Sequence, residues 1–295
     1  MTEAVIVSTA RTPIGKAYRG GFNNLGGASL GAASVTAAVE RAGIEPGEVD
    51  DVIMGAALQQ GATSQNIARQ IALRAGLPNT VSGMTIDRQC SSGLMAVATA
   101  AKQITEDGMG VVVGGGLESI SLVQNEHMNL HRMVDDELVA MAPGIFMPML
   151  QTAEVVADRY GISREAMDEY GLQSQERTAA AYAAGKYADE LVDVTCKRTV
   201  WDKETGEASE VEATVSADEG LRATTPEGLA GLKTVIEGGT ITAGNASGVN
   251  DGACAMIIAS GAAVEKYGLT PKARIVGLQT AGVAPRIMGI GPAPA

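Results

Sequence analysis

Aromatic side chains are scarce in this chain, with one Trp, two Phe and six Tyr among 295 residues, 3% in all. Any core must be assembled from Ala, Val, Ile, Leu and Met, packed closely enough to do without large rings. Cysteine numbers three, odd and without framework spacing, which excludes a disulfide scaffold and fits a reducing cytosol. Basic residues are outnumbered, 22 Lys and Arg against 34 Asp and Glu. The net charge of −12 counts against nucleic acid or an anionic membrane as partner. No apolar run reaches membrane-spanning length, and Met1-Thr2-Glu3-Ala4-Val5 enters a strand with no basic-then-apolar leader. The expectation is a soluble, cytoplasmic protein.

Abundance lies elsewhere: 45% of the residues are apolar and 37 are Gly, which points to tightly packed layers with close backbone approach. Short, nearly all-apolar runs at 4–9, 52–58, 81–87 and 111–113 read as strands covered on both faces. Helix-period stretches separate them, with Val35 and Val39 in 30–41 and Ile67 and Ile71 in 66–73. A third carries Leu94, Val97, Ala101 and Ile104. The order β-α-β-α-β-α-β argues for an α/β fold around a mainly parallel sheet. From about residue 121 the texture becomes Met-rich and then polar, with a helix started by Ser163 and stopped by Gly185. An acidic, Thr-rich segment over 201–216 follows, as hairpin or loop. Residues 253–260 return a strand to the first sheet, and 273–279 open a further strand with no partner in the chain. The domain reading is a first half over 1–120 and 240–270, an inserted loop domain over 121–239, and the start of a second half over 271–295.

Cys90 carries the chemistry. The strand at 81–87 leads through Arg88-Gln89-Cys90-Ser91-Ser92-Gly93 into the third helix, which places a thiol in a helix's first turn. Unpaired backbone N–H groups and the positive end of the helix dipole there favour a thiolate able to accept an acyl group from a thioester. Cys196 and Cys254, in strand-like contexts, read as packing residues.

Four segments together resemble the thiolase family of acyl-CoA C-acyltransferases: Ser8-Thr9-Ala10-Arg11-Thr12-Pro13-Ile14-Gly15-Lys16, the Cys90 segment, Gly114-Gly115-Gly116-Leu117-Glu118-Ser119, and Thr242-Ala243-Gly244-Asn245-Ala246-Ser247-Gly248-Val249-Asn250-Asp251-Gly252-Ala253. The resemblance implies a thiolase-like layered α/β fold, with an N-terminal βαβαβαββ half and an inserted loop domain. It also implies a ping-pong acyl transfer between CoA thioesters, with CoA as substrate and product and no cofactor. Cys90 maps onto the acylated nucleophile, its backbone N–H forming half of an oxyanion site. Ser247 maps onto the Ser that binds the pantetheine arm, with Ala246 and Gly248 lining that tunnel. Arg222 resembles the loop-domain Arg at the nucleotide end of CoA, and the run 228–233 follows where the family flanks the adenine. Lys233, at the end of that run, is not read as a phosphate contact. Met149 and Leu150 stand beside Pro148, where many biosynthetic thiolases place His-Met-Gly, and suit an acyl chain, which points to a broader 3-ketoacyl range than acetoacetyl alone. A homodimer or homotetramer, paired near the strand before Cys90, is also implied.

The two histidines, His127 and His131, are four apart, a spacing that suits two ligands on one helix face, but no third ligand is in context. Neither matches the Gly-His-Pro histidine that activates the family's nucleophile. The Asn-Glu-Ala-Phe segment and the second Cys, which handles the proton of the acetyl methyl group, are also missing from these residues. The expectation is therefore a chain with a nucleophile and part of a CoA site, which needs the C-terminal thiolase half for turnover. A ketoacyl-synthase relative and a non-catalytic acyl-CoA-binding or partner subunit are the competing readings. The opening motif and the 242–253 segment favour thiolase over synthase; the intact Cys90 segment counts against the subunit.

Overall fold

Apolar runs too short for helices become strands when sheet ladders satisfy their backbone and helices cover both faces. The computed structural model describes residues 3–295. In chain order the elements begin β1 (Ala4–Arg11), β2 (Gly15–Lys16), α1 (Gly27–Ala42), β3 (Asp51–Gly55), α2 (Ile67–Arg74), β4 (Ser82–Ile86), α3 (Ser92–Thr105), β5 (Val111–Ser119) and α4 (Ile120–Val123). They continue with α5 (Asp136–Met141), α6 (Met149–Tyr160), α7 (Arg164–Ala183), β6 (Val194–Trp201), β7 (Ala208–Val215) and α8 (Pro226–Ala230). The last are β8 (Asn250–Ser260), α9 (Gly261–Tyr267) and β9 (Ala273–Arg274). These residues divide into two compact units.

The first unit runs to Met128 and adds Tyr187–Gly220 and Val249–Gly277. Its seven-stranded sheet has the order β4-β3-β5-β8-β1-β9, with β2 alongside β8. Strands β3, β4 and β5 are parallel; β8 runs antiparallel between β5 and β1. The expected layered α/β architecture is therefore present, but the sheet is mixed rather than mainly parallel: β3 pairs in parallel with β4 and β5, whereas β8 is antiparallel to β5, β1 and β2, and β9 is antiparallel to β1. Side-chain alternation splits the apolar strands between two cores. Val52, Met54, Val111, Val113 and Ile257 meet α1 and α2 on one face, while Ile53, Val112 and Ile258 meet Ala96, Ala100 and Ile104 of α3 on the other. Among the described residues, Phe22 is the one aromatic among the largest fully buried side chains.

Two strand expectations change. The run read as ending at Val113 continues to Ser119, because β8 supplies an antiparallel ladder from Val111–Ala259 to Ser119–Asp251. The run 273–279 shortens to β9, and it does have a partner: Val5 and Ile6 of β1 pair with Arg274 and Ala273. The segment 201–216 resolves as the second arm of a hairpin, β6–β7, whose Val194, Cys196 and Val215 join the first core. The Asn23 side chain holds that hairpin, donating to the Thr199 carbonyl at 2.8 Å and accepting its N–H at 2.9 Å.

The second unit comprises Asn129–Lys186, Leu221–Gly248 and Leu278–Ala295. Ser163 caps α7, accepting the Ala166 N–H, and Gly185 follows its end at φ 67°, as expected. Few apolar side chains are buried here, Ala157, Leu229, Ile241 and Ile287 among them, so polar contacts do much of the holding. The Glu154 carboxylate accepts the N–H groups of Thr240 and Ile241 and the Thr240 hydroxyl. Burial pushes that carboxyl up, but these donors outweigh it and leave it below its ordinary value.

Candidate active site

In the first unit, α3 starts at Ser92 with Ser91 as its N-cap. Cys90 thus stands one residue ahead of the cap, at the helix mouth rather than in its first turn, and is exposed. Gln89 turns the chain there with a left-handed backbone, φ 48°. Side chains brace the turn from both ends. The Gln89 N–H donates to Asp87 Oδ1 at 2.6 Å; the buried Ser92 hydroxyl accepts the Arg88 N–H at 2.8 Å and donates to the Gln89 carbonyl at 2.6 Å. The peptide N–H groups of Ser91 and Ser92 turn back to the carbonyls of Arg88 and Gln89. A strand end, a left-handed residue and a helix start together push one thiol outward.

Glycines let α3 lie against the sheet at this point. A Cβ on Gly55 would stand 2.2 Å from the Ser92 carbonyl carbon, and one on Gly116 3.1 Å from Gly93 Cα. Gly114, whose Cβ would stand 3.0 Å from Val97 Cα, and Gly116 are thus steric requirements of the helix seat, whereas a Cβ on Gly115 would meet the Cys254 carbonyl oxygen of β8 at 2.2 Å. Glu118, two residues on, accepts the Ala57 N–H and so fixes the loop after β3. Burial pushes its carboxyl up, with the charge of Asp87 adding to the shift, against the hydrogen bonds from Ala57 and Leu58.

The opening motif is a clamp. Arg11 donates to Glu190 at 2.7 Å and to both oxygens of Asp218 at 2.7 and 3.0 Å. Asp218 also accepts the Ile14 N–H, and Glu219 accepts those of Lys16 and Gly21. The other cysteines differ from each other. Cys196 is buried, its thiol donating to the Gly21 carbonyl and pushed up by burial. Cys254 is exposed on β8 rather than packed.

The second unit holds the remaining sequence candidates. Arg222 is exposed; its N–H donates to Gln175 Oε1 at 3.0 Å and its guanidinium to the Ala243 carbonyl at 3.3 Å. That contact joins it to the 242–248 turn, where Ser247 and Gly248 are exposed and Ala246 is half-buried. The Ala246 N–H closes the turn on the Thr242 carbonyl. Met149 and Leu150 open α6 after Pro148, both exposed. His127 and His131 lie in a loop, not on a helix face, each N–H held by an Asn two residues back. Among the described residues, no group of three or more His, Cys, Asp or Glu could hold a metal ion, and no helix is long and apolar enough to cross a membrane.

A profile described as the thiolase N-terminal domain matches residues 4–262. This chain belongs to the thiolase family. Among its relatives, acetyl-CoA acetyltransferase of Paracoccus denitrificans is 42% identical, over 100% of this chain and 75% of its own length. Beta-ketoadipyl-CoA thiolase of Pseudomonas aeruginosa is 41% identical, over 99% and 75%. The crystal structure of the Bacillus anthracis acetyl-CoA acetyltransferase superposes with a TM-score of 0.87 at 39% identity, covering 100% of this chain and 75% of that one. The thiolase reading of the four segments, the layered fold and the acyltransferase class are thus borne out. Sequence reasoning missed the residues that fasten the candidate CoA segments of this thiolase, Arg164, Asp168, Gly171 and Gln175. Their signal was present, as positions i, i+4, i+7 and i+11 of one helix.

Proposed function

We propose that this chain supplies the nucleophile and part of the coenzyme A site for thiolase chemistry on 3-ketoacyl-CoA. The observation that carries the reading is the exposed Cys90 thiol, held at the mouth of α3 by Gln89 and Ser92. In the cleaving direction Cys90 Sγ attacks the C3 carbonyl, the C2–C3 bond breaks, and the acyl group stays on sulfur as a thioester. Acetyl-CoA leaves once its C2 carbanion takes a proton. Free CoA then attacks the acyl-enzyme and regenerates the thiol, and condensation is the reverse. The positive end of α3 faces the charge that develops on the attacked carbonyl oxygen. Ser247, Ala246 and Gly248 receive the pantetheine arm, Arg222 the nucleotide end, and Met149 and Leu150 the acyl chain. The two apolar side chains favour acyl groups beyond acetoacetyl, a range within which the relatives named for beta-ketoadipyl-CoA also fall.

Coenzyme A is substrate and product, and no further cofactor enters this scheme. Neither histidine of the sequence lies in a Gly-His-Pro context, so the activating His and the proton-handling Cys come from outside these 295 residues. The half-exposed edge strand β4 is the surface we assign to pairing with a second copy, and the three free thiols suit the cytoplasm.

The test is alkylation by iodoacetamide followed by peptide mass spectrometry. Cys90 is expected to react faster than exposed Cys254 and buried Cys196, and acetyl-CoA is expected to protect it. Equal labelling of Cys90 and Cys254 would remove the case for an activated nucleophile; protection without enhanced reactivity would favour a non-catalytic binding subunit. Robust acetoacetyl-CoA thiolysis by the isolated chain would overturn the account of the external His and Cys.

A further inference from the structure

Helix α7 is polar along most of its length, yet one face of it touches each segment assigned above to the CoA nucleotide and pantetheine. Arg164, Asp168, Gly171 and Gln175 recur at helical spacing on that face. Arg164 Nη2 donates to the carbonyls of Leu229 and Leu232 at 2.7 and 3.2 Å, inside the adenine-flanking run. Its Nε donates to Asp168 Oδ2 at 2.7 Å. The other oxygen, Oδ1, accepts from Asn245 Nδ2 at 2.9 Å, and Asn245 sits in the turn that presents Ser247. Asn245 in turn accepts the Thr242 N–H at 2.8 Å and donates to the Thr240 carbonyl at 3.2 Å. Gly171 lies so close that a Cβ would stand 3.0 Å from the Gly244 carbonyl oxygen, and Gln175 accepts the Arg222 N–H.

Asp168 is 9% exposed and is the joint of this chain of contacts. A carboxylate has two acceptor edges, and here each serves a different segment. A buried charge with both edges filled fixes geometry, because moving either partner leaves it unpaired. We propose that Asp168 is a positioning residue for coenzyme A, setting the distance between the segment that takes the nucleotide and the turn that takes the pantetheine. This rests on the CoA assignment of the preceding section. A ligand gripped at both ends gains over its separate fragments only while the two grips keep the right spacing.

The experiment compares three ligands by calorimetry on the full chain: CoA, adenosine 3′,5′-bisphosphate and pantetheine. For Asp168→Asn, whose amide offers an acceptor to only one partner, the CoA affinity is expected to fall by about tenfold, while each fragment changes by less than about twofold. Arg164→Lys is the second variant, since its single ammonium keeps the charge beside Asp168 but cannot serve both carbonyls and the carboxylate; it should show the same split. If Asp168→Asn does not fold, as judged by circular dichroism, Arg164→Lys decides. An equal loss for CoA and both fragments would mean a merely structural role, and unchanged CoA affinity in a folded variant would also overturn the proposal. If the unmodified chain bound neither CoA nor fragments, the CoA assignment itself would fail, a different outcome from either of these.

Discussion

At the scale of single residues, the cysteine's presentation depends on a neighbour with no chemistry of its own. Gln89 adopts φ 48°, a region that costs an ordinary L-residue about 1–2 kcal/mol. Asp87 and Ser92 hold it there through three side-chain hydrogen bonds. Gln89→Gly, which relieves the strain, should keep the Cys90 alkylation rate near that of the parent. Gln89→Val should both destabilise the fold and slow alkylation, read by urea unfolding and by peptide mass spectrometry; equal rates for the two variants would show that the turn does not govern the thiol. Cys90 was legible in the sequence because its strand, its motif and its helix are contiguous. The left-handed turn was not, since Gln carries no preference for that conformation and only the bracing side chains impose it.

At the scale of elements, the glycines around α3 set how closely a helix can lie on a sheet. Gly55→Ala would place a methyl group 2.2 Å from the Ser92 carbonyl carbon, a backbone atom that cannot rotate away. The expected cost is about 1–3 kcal/mol, as for other overpacked sites, with a change in Cys90 reactivity as the helix start moves. An unchanged denaturation midpoint would mean that the seat is looser than its geometry. Gly47→Ala, whose Cβ would meet only Pro78 at 3.8 Å, is the control. Strands β1 and β3 were legible from their apolar runs. The extension of β5 through three glycines was not, because its partner β8 lies more than 130 residues further along the chain. The hairpin β6–β7 was ambiguous for a similar reason: its exposed arm mixes Ser209, Glu210, Glu212 and Thr214 with Val211, and only the buried Val194, Cys196 and Val215 commit it to the core.

At the scale of the whole molecule, the net charge of −12 is combined with carboxylates inside the first unit. Asp251 is fully buried, accepting the Ser121 N–H at 2.9 Å and the Ser121 hydroxyl. Burial pushes its carboxyl up, and the charge of Glu219 adds to this, against the hydrogen bonds from Ser121 and Ile120. A carboxyl raised in the folded state binds its proton more tightly there than in the unfolded chain. Its contribution is therefore fully present below the ordinary carboxylate range, about pH 4, and is lost as pH rises through the folded value. The stability difference between parent and Asp251→Asn should accordingly shift against the parent from about pH 4 upward and then level off. Urea midpoints across that range check it, and a pH-independent difference would refute it. By itself the sequence determined the layered α/β class, the family and the placing of Cys90 between a strand and a helix, because those reside in contiguous motifs and in the short period of buried strands. Tertiary structure alone decided which polar side chains act together. Arg11 reaches Asp218 and Asp168 reaches Asn245 across long stretches of chain, and a hydrogen bond depends on distance in space, which sequence separation does not encode.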